Sequence, residues 1–166
     1  MTADVHDKRE TSITTPSDTE IRIEREFDAP RELVWEAFTD PELLGEWLGP
    51  HGHTITVEMD PRPGGTYRWL DRFGQGEELV FFGEYLEVRE PELMVTTFAW
   101  EDSGVPPSTD RWELHELAGG RSKLVTTSTF ESKEFRDGML QSGMEKGVND
   151  GHDKLDALLA RKQGKS

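Results

Sequence analysis

The chain has 166 residues, of which 34 are acidic and 19 are basic, so its formal net charge at neutral pH is −15. This charge repels nucleic acid phosphates and anionic membrane surfaces, and we expect neither as a partner. Without cysteine, the chain has no disulfide, no thiolate nucleophile and no cysteine ligand for a metal, in agreement with a cytoplasmic protein. No apolar run approaches the roughly 18 residues of a membrane-inserted helix.

The polar N-terminal segment, residues 1–18, has no apolar stretch, and it predicts a disordered tail rather than a secretory signal. Residues 19–163 are predicted to form one domain, as is usual for a chain of this length. Apolar and charged residues alternate over Glu20–Phe27, which indicates a half-exposed strand. Two short helices are predicted next, at 28–39 and 40–48, from the helical spacing of their apolar residues.

A series of strand signals, separated by short turns, follows the two helices. Because consecutive strands joined by short turns usually pair with each other, we expect an antiparallel meander with one buried face. A long C-terminal helix over Asp137–Lys162 would cover that face. The strand signals lie at 53–60, 66–70, 77–88, 93–100, 111–117 and 123–130.

The predicted C-terminal helix has an unusual border of glycines. Gly147 and Gly151 lie along one side of its apolar face, and His152 lies at the opposite border. An interior glycine costs about 1 kcal/mol relative to alanine in a helix. Two interpretations are open: the glycines allow close packing, or they leave space for a ligand. The apolar face consists of Leu140, Met144, Val148, Leu155, Leu158 and Leu159.

Four segments carry a resemblance to a known family. In chain order they are "FDAPRELVWEAFTDPELLGEWLGP", "DPRPGGTYRW", "FFGEYLEVREPELMVTTFAW" and "GMEKGVNDGHDKLDALLA". They resemble proteins similar to the C-terminal domain of the activator of heat-shock protein 90 ATPase, within the SRPBCC, or START/Bet v 1-like, superfamily. The resemblance covers about residues 20 to 162.

The resemblance implies an α+β helix-grip (Bet v 1/START-like) fold. A curved antiparallel sheet of six to seven strands would wrap the long C-terminal helix, with two short helices after the first strand. Many members of the superfamily hold lipids or other hydrophobic molecules in an apolar cavity between sheet and helix. Val148 stands where many relatives have Trp or another bulky residue, and His152 stands where Leu or Tyr is common.

The predicted ligand-binding site combines residues of the sheet, the C-terminal helix and one short helix. Trp47 is a candidate lid residue, while Glu84 or His152 would supply a polar group, with the register around Gly83 left open. His51 and His53 fit a solvated loop better than a metal site, so no metal ligand, catalytic residue or cofactor is assigned. The site residues are Trp47, Trp69, Phe82, Glu84, Phe98, Trp100, Trp112, Met144, Val148 and His152.

Three functions are compatible with these features. The first is binding of a small hydrophobic or amphipathic molecule, lipid-like or polyketide-like, in the cavity. The second is a co-chaperone role in which an exposed surface activates the heat-shock protein 90 ATPase. The third is a cavity enzyme, a cyclase, dehydratase or hydrolase, that uses His152 or Glu84. The identity of the ligand and the formation of a homodimer stay open.

Overall fold

One antiparallel sheet and four helices make up the fold in a computed structural model that describes residues 10–165. Two helices follow the second strand, and two more follow the last strand. The elements are β1 (Ser12–Thr14), β2 (Glu20–Phe27), α1 (Arg31–Thr39), α2 (Pro41–Trp47), β3 (Thr54–Met59), β4 (Thr66–Phe73), β5 (Glu77–Arg89), β6 (Leu93–Trp100), β7 (Ser108–Leu117), β8 (Arg121–Thr129), α3 (Lys133–Leu140) and α4 (Met144–Lys162).

The sheet has the strand order β1-β2-β8-β7-β6-β5-β4-β3. Strands β3 to β8 form a meander, and β2 closes onto β8 along its full length. Residues paired across antiparallel strands share a face, so the register defines an inner face that includes Phe27, Leu114 and Leu124. These three side chains are at most 4% exposed. The outer face carries charged residues such as Glu24 and Glu113.

The two short helices close one end of the inner face. Helix α2 begins where the Asp40 side chain accepts hydrogen bonds from two backbone amides, with Pro41 in the first turn. Helices α1 and α2 together bury Phe38 and Trp47, whose rings meet edge to face at 4.9 Å. The Trp47 indole donates a hydrogen bond to the Ala37 carbonyl at 3.0 Å, which fixes the angle between the helices. No helix within residues 10–165 has both the length and the apolar character needed to cross a membrane.

One border of helix α4 lies against the segment that follows α2. An ideal Cβ on Gly147 would lie 3.5 Å from the Pro50 side chain, and one on Gly151 would lie 3.1 Å from the Trp47 carbonyl oxygen. The Lys154 ammonium adds long hydrogen bonds to the backbone of this segment. The glycines therefore give room to the Trp47–Pro50 segment, and not to a ligand or to tryptophans of the sheet.

The opposite border of α4 is held by the first two strands. Arg25, which is 4% exposed on the inner face, makes a two-pronged ion pair with Asp156. His152 meets the Phe27 ring edge to face at 5.5 Å and bonds the Thr11 hydroxyl. Helix α4 is thus fixed from both sides, and its apolar stripe faces the sheet between the two borders.

The helix-grip fold is confirmed, with three differences from the prediction. The sheet has eight strands rather than six or seven, because β1 adds a short edge strand. The helix expected over Asp137–Lys162 is broken into α3 and α4, since Gly143 before α4 has a left-handed φ of 89°. Strand β1 also lies in the segment for which a disordered tail was predicted, and residues 1–9 of that segment lie outside the described residues.

The two glycines that border α4 should respond differently to alanine. We expect Gly147→Ala to raise the free energy of unfolding by up to about 1 kcal/mol, because alanine favours the helix and its Cβ meets only an ordinary contact. Gly151→Ala should give no net gain, since its Cβ would press on the Trp47 carbonyl. Urea denaturation measures both, and equal gains would contradict the tight seating of α4 on this segment.

Candidate functional site

A small cavity lies between the inner face of the sheet and helices α1 and α2. Its volume is about 20 Å³, room for roughly one water molecule. Pockets for drug-sized ligands have roughly 300–1,000 Å³, so aromatic side chains fill most of the space at this end of the fold. The lining residues are Phe38, Leu44, Trp47, Leu48, Tyr67, Trp69, Tyr85, Met94, Thr96 and Trp112.

A continuous series of aromatic rings, which we call the aromatic row, connects this cavity to solvent. Neighbouring ring centroids in the row are 4.8 to 6.5 Å apart. The exposed fraction is 4% for Tyr85 at the cavity end and 45% for Trp100 at the other. Exposed aromatic surface of this kind is typical of binding sites. In order, the row is Tyr85, Tyr67, Trp69, Phe98, Phe81 and Trp100.

Tyr67 occupies a gap between two strands of the sheet. The β5–β6 ladder has no paired residues at Gly83 and Glu84, and the Tyr67 hydroxyl donates to the Thr97 carbonyl at 2.5 Å. Glu84 donates its backbone N–H to the Thr97 hydroxyl instead of to a carbonyl. A Cβ on Gly83 would lie 2.0 Å from the Thr97 carbonyl oxygen, so only glycine fits here. The β5–β6 register is the same on both sides of this gap, and pairing of Glu84 with Thr66 of β4 places Glu84 on the outer face.

A buried carboxyl group, Asp110, lies on the inner face beside the cavity wall. Its cross-strand neighbours are Thr96, which lines the cavity, and Ser128. Burial raises the pKa of Asp110 to about 6, and a hydrogen bond from Ser128 opposes part of that rise. No charged group of residues 10–165 offsets the cost of burying this carboxylate. A buried acid without a cation is a candidate functional group.

Two of the three indole N–H groups that line the cavity donate a hydrogen bond within the protein, and the third does not. Trp112 donates to the Thr96 hydroxyl at 3.1 Å, and Trp47 donates to a backbone carbonyl. The Trp69 Nε1 atom is buried and has no hydrogen-bond partner among residues 10–165. A buried donor without a partner costs free energy, so this N–H is available to an oxygen acceptor on a ligand.

The apolar stripe of α4 is less covered toward the start of the helix. Leu155 and Leu158, in its second half, are 0% and 2% exposed. Met144 and Val148 continue the same stripe in the first half, yet they are only half-buried. The sheet and the neighbouring elements therefore cover this stripe less completely in the first half of α4 than in the second.

The structure distributes the ten predicted site residues over five places. Trp47, Trp69 and Trp112 line the cavity, and Phe98 and Trp100 lie along the aromatic row. Met144 and Val148 are half-buried on the first half of α4. The remaining three, Phe82, Glu84 and His152, do not line the cavity.

Phe82 and Glu84 point to the outer face, where they line an open groove of about 740 Å³. Their alternation with the inner residues Phe81, Gly83 and Tyr85 explains this placement, because successive side chains of a strand face opposite ways. Four acidic residues and Arg68 surround the exposed Phe82 ring. The acidic residues of the groove are Glu58, Asp60, Glu84 and Glu101.

His152 is buried, 5% exposed, at the border of α4 that faces β1 and β2. Burial, and to a smaller extent the positive charge of Arg25, lowers the pKa of His152 to about 3. Its imidazole is therefore neutral at physiological pH and bonds Thr11 at 2.8 Å. His152 was predicted to supply a polar group to the ligand site, but it is not among the residues that line the small cavity.

The two histidines of the "HGH" segment take separate partners. His53 pairs with Asp71 at 2.8 Å and stacks on the Phe73 ring at 4.6 Å. His51 donates its backbone N–H to the Asp150 carboxylate of helix α4 at 3.0 Å. Residues 10–165 contain no group of three or more side chains placed to hold a metal ion.

Four polar residues of the site were not found from the sequence: Tyr67, Tyr85, Thr96 and Asp110. Tyr67 and Thr96 lie within predicted strands, but nothing in the sequence marked them as cavity residues. Asp110 precedes the predicted strand 111–117, so it was interpreted as part of a loop. Only the cross-strand register brings it beside Thr96.

A family model described as "Activator of Hsp90 ATPase homolog 1-like protein" matches residues 28–160. Among solved structures, a Rhodobacter sphaeroides protein is 25% identical, covers 92% of this chain and 99% of its own, and has a TM-score of 0.85. Protein Ms6760 from Mycobacterium smegmatis is 28% identical, with coverage of 90% and 97% and a TM-score of 0.82. Protein CV1439 from Chromobacterium violaceum is 29% identical, with coverage of 86% and 98% and a TM-score of 0.74. Among curated proteins, none matches the chain.

Replacement of the buried acid should stabilise the protein near neutral pH. The pKa of Asp110 in the fold, about 6, lies above its ordinary value of 3.8, so its contribution is present below pH 3.8 and is lost as pH rises through 6. We expect Asp110→Asn to raise the free energy of unfolding at pH 7.5 by roughly 1–3 kcal/mol. Urea unfolding at pH 4.5 and 7.5 measures this, with Glu113→Gln on the outer face as control. Equal or lower stability of the variant at pH 7.5 would contradict the assignment.

His152 should make the fold sensitive to acid. Because its pKa in the fold lies below the ordinary value of 6.5, its contribution to stability is present above pH 6.5 and is lost as pH falls. We expect wild-type protein to lose about 2 kcal/mol more than His152→Gln between pH 6.5 and 5. Thermal unfolding across this range tests it, with the exposed His115→Gln as control. The same pH slope in wild type and His152→Gln would show that this imidazole is not held neutral.

Proposed function

The chain belongs to the family of Activator of Hsp90 ATPase homolog 1-like proteins, and we propose that it binds a small hydrophobic or amphipathic molecule between its sheet and helix α4. The observation that carries the proposal is the aromatic row, which runs from the exposed Trp100 ring to the cavity wall at Tyr85. A ligand lying on these rings would be stabilised by about 25 cal/mol for each Å² of apolar surface removed from water.

The ligand would lie along the row, between the sheet and the less covered first half of α4. The cavity of about 20 Å³ is too small for it, whereas Met144 and Val148 in the first half of α4 are only half-buried. The Trp69 N–H would orient a ligand that carries an oxygen acceptor. The apolar body and the polar group of the ligand thus have separate partners.

Deeper entry of a ligand requires a movement of α4. The second half of the helix is held by Leu155, Leu158 and the Arg25–Asp156 ion pair, so it is the fixed end. The first half begins at Gly143, which has a left-handed backbone and separates it from α3. A small rotation of this half away from the sheet would open the space above the cavity.

The other two functions lack a specific observation in their favour. The acid–base residues considered for an enzyme do not meet: Glu84 faces outward, while His152 is neutral and bonded to Thr11. A chaperone-activating role would need an exposed surface that contacts the chaperone. The outer groove around the exposed Phe82 is the candidate for that surface. Binding measurements on variants of the two faces separate these cases.

Filling the space next to α4 should weaken ligand binding. We expect a hydrophobic member of a panel of fatty acids and aromatic polyketides to raise the melting temperature of the wild type. Val148→Trp should reduce that shift by at least half, because the larger ring occupies the space between helix and sheet. Thermal shift and native mass spectrometry measure the effect. Leu86→Trp, at an exposed position of the sheet, is the matched control.

Two outcomes would contradict this placement. Undiminished binding in Val148→Trp together with loss in Phe82→Ala would place the ligand in the outer groove. Absence of any ligand from the panel, combined with a rise in the ATPase rate of heat-shock protein 90 on addition of the protein, would favour the chaperone role instead.

A further inference from the structure

We infer that the ligand carries a protonated amine, which forms an ion pair with Asp110 on the inner face of the sheet. This inference rests on the proposed binding function and adds the chemical class of the head group. It follows from the position of the carboxylate, from the aromatic rings beside it and from the absence of a cation near it among residues 10–165.

The register places Asp110 next to the aromatic row. Asp110 of β7 lies opposite Thr96 of β6. Phe98, a member of the aromatic row, lies two residues after Thr96 in β6 and on the same face of the sheet. Diagonal neighbours of this kind are about 7–8 Å apart between Cα atoms, within reach of a ligand that bridges them. A molecule whose body stacks on Phe98 and Trp69 can therefore direct its head group to the Asp110 carboxylate.

Within the described part of the chain, no side chain neutralises this carboxylate. Arg25, a buried cation on the same face, is engaged by Asp156 of helix α4. The two cross-strand neighbours of Asp110, Thr96 and Ser128, are uncharged hydroxyl residues. A buried acid that retains only hydrogen bonds gains more from a cationic partner than from a neutral one.

The surroundings also favour a cation over an anion. An ammonium group is attracted to the faces of aromatic rings, and tryptophan is the strongest such partner. Trp69 and Trp100 lie in the aromatic row, so the approach to Asp110 is lined by this surface. The net charge of −15 adds a long-range attraction for cations and repels carboxylate ligands such as fatty acids.

The ionisation of Asp110 makes the inference testable by pH. Burial raises its pKa to about 6, so the carboxylate is mostly ionised at pH 7.5 and mostly protonated at pH 5. The titratable side chain that senses Asp110 from strand β4 is Tyr67, whose pKa is raised mainly by burial and which stays neutral over this range. Tyr85 of β5 has its pKa raised by burial as well and likewise stays neutral.

Two probes with the same aromatic body and different head groups test the inference. We expect 2-(naphthalen-2-yl)ethylamine to bind the wild type at least tenfold more tightly than 2-(naphthalen-2-yl)ethanol in isothermal titration calorimetry at pH 7.5. Asp110→Asn should abolish this preference by weakening the amine about tenfold. Glu113→Gln removes the same charge from the outer face of the same strand and should keep the preference.

The wild type at two pH values supplies a second measurement that needs no variant. Amine affinity should fall about tenfold between pH 7.5 and 5, as the fraction of ionised Asp110 falls, while the affinity of the alcohol stays within a factor of two.

Equal affinities of the two probes, or an amine preference that persists in Asp110→Asn, would overturn the assignment to Asp110 and leave the binding function standing. Failure of both probes would also overturn it if fatty acids or polyketides of the panel bind. Failure of every compound would remove the inference and the proposed function together.

Discussion

The architecture depends on how helix α4 is seated between the two sides of the curved sheet. On one side, Gly147 and Gly151 let the helix approach the Trp47–Pro50 segment closely. On the other side, the Arg25–Asp156 ion pair connects it to β2. With both borders fixed, the apolar stripe must face the sheet, and the leucines of its second half complete the core. The first half, which begins after the break at Gly143, is covered less, and this inequality creates the proposed ligand site.

The proposed site contains groups that a purely structural core would not retain. Asp110 is buried without a cation, and the Trp69 N–H is buried without an acceptor among the described residues. Each of these reduces the stability of the free protein, since desolvation of a polar group is not compensated. Aromatic rings approach solvent at Trp100, which also exposes apolar surface. These features have a common explanation in a ligand that supplies the missing partners, which is the basis of the proposed function.

His152 shows how a functional interpretation can fail on one fact of tertiary structure. Its spacing on the helix placed it correctly at the border opposite the glycines. The segment that covers it, however, comes from the other end of the chain, where Thr11 precedes a three-residue strand. A polar and short strand such as β1 gives no periodic signal, so the burial of the imidazole could not be foreseen. The helical break at Gly143 was missed for a related reason, because an isolated glycine is compatible with a continuing helix.

By itself, the sequence determined the class of fold, the order of the elements and most of the residues that face the core. Alternation with period two and helical spacing are local properties that can be recognised from consecutive residues. Met94 to Trp100 show the first pattern and Leu155 to Leu159 the second. Only the tertiary structure decided which of these residues meet. The β4–β5 register placed Phe82 and Glu84 on the outer face, and the β6–β7 register brought Asp110 beside Thr96. Register and burial arise from pairing between distant segments, and a shift of one residue exchanges the two faces of a strand.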